Sequence, residues 1–223
     1  MFNLQKCASN ELIIKLIKNA PSLGIIQFII LTILAVVFYP GGFNFYSQYF
    51  SELGATTALN GQQNTVSSSL FFFANIVIGF TLIPFWFEIS SKLSDVKGVG
   101  TAKKIGSALG LMSSPFIIGA ANYPIDTQFK MHYQMFMVFF PLFNCASLIY
   151  SIILIVEHRS RKKYGILGLF LFMISVLVII NPSASYVSFI QKMILYGYFI
   201  WIFLISKIMA GVRNCAYATN IWT

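Results

Sequence analysis

Six apolar runs, at 23–39, 68–89, 105–123, 133–157, 165–180 and 189–212, are separated by alternately basic and nearly uncharged loops along the chain. Each is about 16–25 residues long, close to the roughly 20 a helix needs to cross the hydrocarbon core of a bilayer. Backbone amides inside lipid must find partners within their own segment, so the runs predict helices. Ahead of them, 1–22 predicts a separate amphipathic helix, capped by Ser9 or Asn10 and stopped after Asn19 by Pro21. Leu12, Ile13, Leu16 and Ile17 form its apolar side, with Lys15 and Lys18 at the edge, a pattern suited to lying in the membrane interface. It lacks the short apolar stretch and small-residue cleavage site of a signal peptide. A short tail, 213–223, comes after the last run. The expected fold is all-α: a polytopic six-helix membrane domain over 23–212 preceded by an interfacial helix.

Composition excludes an ordinary soluble domain, because 57% of the residues are hydrophobic and 9% charged, with a mean hydropathy of +0.77. The net charge of +9 would suit nucleic acid until the basic residues are located. Lys6, Lys15, Lys18, Lys92, Lys97, Lys103, Lys104, Arg159, Arg161, Lys162, Lys163, Lys207 and Arg213 all fall on one side of the six crossings. Only Lys130 and Lys192 fall on the other. The positive-inside rule then places both termini of this multi-pass protein in the cytoplasm. No basic face interleaved with aromatics is present, so nucleic acid is not an expected partner. Membrane lipids are, and other membrane subunits are the alternative. The three cysteines, Cys7, Cys145 and Cys215, form no C-x-x-C pair and predict neither a disulfide framework nor a redox site; Cys7 lies where acylation could occur.

The outer loops are where specific chemistry is concentrated. The first, over 40–67, opens Pro40-Gly41-Gly42, continues through Phe43, Phe45, Tyr46, Tyr49 and Phe50, and then carries Ser51-Glu52-Leu53-Gly54. Such aromatics suit headgroup depth. A lone Glu52 among them calls for a partner, and the loop either lies along the interface or folds over a polar cavity. In the second loop, Pro124 ends the third helix and Asp126 or Thr127 can cap the fourth. Asp126 can hydrogen-bond to His132 and fix its tautomer, an arrangement also compatible with an ordinary cap. Within the membrane, Asn75, Ser113, Ser114 and Asn144 call for interhelical hydrogen bonds or a wet cavity. Gly106 and Gly110 have the spacing of a close helix contact. Pro84, Pro115 and Pro141 predict bends. Glu88 and Glu157, beside basic loops, suit interfacial ion pairs.

Ser51-Glu52-Leu53-Gly54 after the first helix, Asn75 within Phe73-Ala74-Asn75, and Tyr123-Pro124-x-Asp126 with His132 together resemble a known pattern. They are similar to the prokaryotic six-helix membrane family catalogued as domain of unknown function 998, itself distantly similar to the damage-regulated autophagy modulator proteins. The likeness runs from about residue 23 to the end of the sixth helix. It implies a six-helix fold with a shared site at the outer leaflet, and assigns that site no activity. One departure is Gln48, where members often carry a histidine.

Three function classes remain. The first is a non-catalytic membrane protein that binds a lipid or small molecule in its outer half, through Glu52, Asn75, Asn144, Asp126 and His132, or serves as an accessory subunit. The second is a lipid-directed hydrolase or transferase with Ser51 as nucleophile, His132 as base and Asp126 as its orienter, or with Glu52, Asp126 and His132 holding a metal. The third is a transporter. Scarce histidine, Gln48, and the lack of a G-x-S-x-G or H-E-x-x-H motif weigh against catalysis. No internal repeat and no charge at the bilayer centre weigh against transport. The first class is the expected one, with no cofactor.

Overall fold

The computed structural model describes residues 2–93, 99–157, 160–181 and 186–219. Six helices account for most of them: α1 (Phe2–Val37), α2 (Thr65–Lys92), α3 (Gly100–Asn122), α4 (Phe129–Glu157), α5 (Lys162–Ile180) and α6 (Val187–Thr219). Each contains a stretch long and apolar enough to cross a membrane. The protein is therefore an all-α, multi-pass membrane bundle. Arg159 and Lys97, two of the basic residues used to orient it, lie outside the described residues.

The break expected at Pro21 is absent, for α1 runs through it without interruption. Proline removes one N–H and the bond it would make, but neighbouring packing can hold the turn. Here Ser22 and Ile25, just beyond it, are buried against the bundle. At the other end of the chain, α6 continues to Thr219, past its apolar run. Pro84, Pro115 and Pro141 likewise sit inside continuous helices.

The helices pack in chain order, each on the next, and α6 closes on α1 and also touches α2. Large rings fill the centre: Phe28, Phe85, Trp86, Tyr150, Tyr198, Phe199 and Trp201 are all buried. Small residues let these rings in. A Cβ at Gly110 would lie 2.1 Å from Trp86 Cδ2, and one at Gly106 would lie 3.0 Å from Tyr150 Cε2. The Gly106–Gly110 stripe thus seats α3 against both α2 and α4. At the same end, Lys103 Nζ donates to the Leu93 carbonyl just past α2 (2.9 Å), and Lys92 pairs with Glu88 at 3.1 Å.

Of the four intramembrane polar positions, one bridges helices. Tyr198 O–H donates to Asn144 Oδ1 at 2.8 Å, tying α6 to α4. Asn75 donates to Phe71 O and Ser113 and Ser114 to Gly110 O, each within its own helix. Cys145 is exposed on the outside of α4.

Candidate functional site

The segment between α1 and α2 is a strap across one end of the bundle. It starts with a turn that its sequence dictates. Proline at the second position and a φ of +78° at Gly41 suit a type II turn, closed by Gly42 N–H donating to Tyr39 O at 3.1 Å. A side chain at Gly41 would also strike Asn60 Nδ2. The strap then forms a short 3-10 helix at Phe50–Gly54. Phe50 and Leu53 point down into the core, buried to 4% and 0% exposure. Phe50 packs edge-on against Phe71 of α2 and near Phe28 of α1. The loop thus folds over the end of the bundle, but over packed rings and not over the polar cavity considered from sequence. Asn64 and Ser67 fasten its far end by donating to the Leu53 carbonyl, at 3.1 and 3.2 Å.

Three groups of contacts tie the strap to other elements or within itself. Glu52 reaches back to cap the 3-10 helix, Oε1 accepting from Tyr49 N–H at 3.0 Å while Oε2 accepts from Gln48 Nε2 at 3.2 Å. On the α6 side, Lys192 has 0% exposure. Its ammonium donates to the carbonyls of Gln48 and Ser188, the latter at 2.7 Å, with the rings of Phe45 and Phe43 at 5.2 and 5.7 Å. Glu52 adds its charge from nearby. On the opposite side, Asp126 grips the strap with both oxygens: Oδ1 accepts from Thr56 N–H (3.0 Å), and Oδ2 from Thr56 Oγ1–H (2.6 Å) and Thr57 N–H (3.0 Å).

That grip corrects the expected pairing of Asp126 with His132, and its use as a cap for α4. His132 instead turns Nδ1 toward the end of α3, within 3.0 Å of Ala120 O and 2.8 Å of Tyr123 O. Carbonyls only accept, so the proton sits on Nδ1 and the ring caps the helix C-terminus. The serine–histidine–aspartate triad is therefore not assembled. Nor, among the described residues, do Glu52, Asp126 and His132 come together as a metal-holding group. Ser51 and His132 both line a small recess with Gly54, Phe71, Tyr123 and Pro124. It adjoins a larger one of about 350 Å³ between the strap, α2 and α3, lined by Thr56, Ser68, Ser69, Phe72, Asn122 and Pro124 among others. Asn75 and Asn144 line neither recess.

Partial burial pushes the Asp126 carboxyl up, but the hydrogen bonds from Thr56 and Thr57 outweigh it and hold the group below its usual range. A lowered folded pKa means the clamp is at full strength above the unfolded value near 3.8 and is lost as pH falls through the folded value. The group is largely exposed, so screening keeps the contribution at or below about 1 kcal/mol. Asp126→Ala should speed hydrogen exchange at the Thr56 and Thr57 amides at neutral pH, and acidification of the parent should do the same. Unchanged exchange at both amides in the variant would show that the clamp does not form in the membrane.

Sequence reasoning missed Lys192, Gln48 and Thr56 as the fastening points. Lys192 carried a usable signal, a lone charge inside an apolar run, which normally faces protein and a partner. Comparison with curated proteins and with solved structures found no match. The model of the family described as protein of unknown function (DUF998) matches residues 22–207, all six spans with the strap and both recesses. The chain belongs to that family.

Proposed function

We propose that this protein binds a lipid or small amphiphile at the outer end of its bundle, in the recess beneath the strap. The observation that carries this reading is the recess itself: a floor of Phe71, Phe72 and Phe73 with Thr56, Ser68, Ser69 and Asn122 at its rim. An apolar floor beside a few convergent polar groups is the usual make-up of a small-molecule site. It lies where the Ser68 end of α2 and the Asn122 end of α3 reach the strap. A Ser69→Trp substitution places a bulky ring at this exposed rim. Parent protein extracted with its surrounding lipid in polymer discs should carry one lipid class enriched several-fold over the bulk membrane, and Ser69→Trp should lose that enrichment. Identical lipid profiles for parent, variant and bulk membrane would overturn the reading.

The same reading puts the strap on the outer side and both termini in the cytoplasm, on the distribution of lysine and arginine, with the plasma membrane of a prokaryote as the membrane that the family resemblance implies. Single cysteines at Asn60 and Lys162, in a background with the native cysteines replaced, should differ in intact cells. An impermeant reagent should label Asn60→Cys and spare Lys162→Cys. The reverse pattern would invert the topology.

A further inference from the structure

The hydrogen-bonding state of the recess points to the kind of headgroup it takes. Around its rim, most donors are already engaged within the chain. Thr56 Oγ1–H is given to Asp126 at 2.6 Å. Ser68 Oγ–H is given to the Asn64 carbonyl, and Ser69 Oγ–H to Thr65 O at 2.8 Å. One amide N–H of Asn122 is given to Ile118 O at 2.7 Å. In the adjoining recess, the Nδ1 proton of His132 is held by the carbonyls of Ala120 and Tyr123. What the rim groups still offer is lone pairs, on Thr56 Oγ1, Ser68 Oγ, Ser69 Oγ and Asn122 Oδ1. Against them stand three side-chain donors among the described residues, the Ser51 hydroxyl, the Tyr123 phenol and the second Asn122 N–H.

The electrostatics agree. Among the described residues, neither recess is lined by a lysine or an arginine. The C-terminal end of α3, at Ala121 and Asn122, brings the negative pole of its helix to the rim. Helix α2 enters the recess only from Ser68 onward, beyond its unpaired first-turn amides, and the Ser68 N–H is itself bonded to Asn64 O at 3.3 Å. Two cations are described at this end: Lys192 is turned to Gln48 and Ser188 on the α6 side, and Lys130, exposed in the first turn of α4, lines neither recess. A phosphate monoester would bring acceptors and negative charge to a rim that already has more acceptors than donors and the negative pole of a helix. Its desolvation would go uncompensated.

On the basis of the binding reading above, we infer that the recess selects amphiphiles whose headgroup donates hydrogen bonds, through hydroxyl or ammonium groups, and rejects those ending in a phosphate. The test uses the full chain in discs of phosphatidylcholine, whose headgroup has no N–H or O–H to donate. Dioctanoylglycerol and dioctanoyl phosphatidic acid carry the same chains, so their difference reports the headgroup. Calorimetric titration at neutral pH should show dioctanoylglycerol binding at least about tenfold more tightly. Ser69→Lys adds a cationic donor at an exposed rim position and should shrink or reverse that ratio while melting like the parent. Equal or tighter binding of phosphatidic acid by the parent would overturn the headgroup assignment and leave binding intact. A ratio unmoved by Ser69→Lys would overturn the assignment to this recess. Absence of saturable binding by either probe, or by octylammonium, would overturn the binding reading and this inference with it.

Discussion

Lys192→Ala should be among the most damaging single substitutions outside the aromatic core. The parent ammonium is wholly buried and donates to two carbonyls on different elements, Gln48 O on the strap and Ser188 O on α6. Truncation removes both charge-assisted bonds and leaves the Gln48 carbonyl, the nearby Glu52 charge and a side-chain-sized void. Losses of this kind run to roughly 3–5 kcal/mol. Lys192→Met fills the void without restoring the bonds and should recover only part of the loss. Thermal unfolding in mild detergent, with exchange at residues 44–54 as the local readout, separates global from local effects. A variant that melts with the parent and keeps its strap protected would show that the latch contributes little.

Gly110→Ala is the second. The added methyl would sit 2.1 Å from Trp86 Cδ2 and within 2.6 Å of two further ring atoms, and Trp86 has 0% exposure and nowhere to withdraw. Overpacking of a rigid ring in a filled core costs about 3 kcal/mol. The mechanism predicts its own rescue. Trp86 Nε1 has no hydrogen-bond partner among the described residues, so Trp86→Phe sacrifices packing alone. The double variant Trp86→Phe with Gly110→Ala should therefore be more stable than the sum of the two single losses. Strict additivity would mean that the methyl and the indole do not meet.

The helices could be read from sequence because each apolar run is both long and bounded by polar residues, and lipid leaves the backbone no other solution. The close contact at Gly106 and Gly110 was readable for a similar reason, since small residues four apart have few other uses in a membrane. Pro21 misled because its local effect is real, yet packing beyond it sustains the helix. Asp126 misled because its partners, Thr56 and Thr57, are about seventy residues away, while His132 is near in sequence and so looked the natural mate. Gln48 was read as a lost ligand. Its role lies in what its backbone carbonyl accepts from Lys192 and its side chain gives to Glu52, neither of which residue identity alone discloses. The rim of the recess escaped notice because serines near a helix start read as ordinary caps until the strap is laid beside them.

The placement of the strap's fastenings also sets an order on biogenesis. The strap is synthesised directly after the first crossing, but the Asp126 clamp arrives only with the turn before α4, and the Lys192 latch only with the last crossing. During translation the aromatic segment around Phe50 must therefore wait, first free, then held at one edge, and sealed at both only when the ring of helices closes. A nascent chain arrested before α6 should remain open to external protease between residues 43 and 55, and the finished chain should resist it.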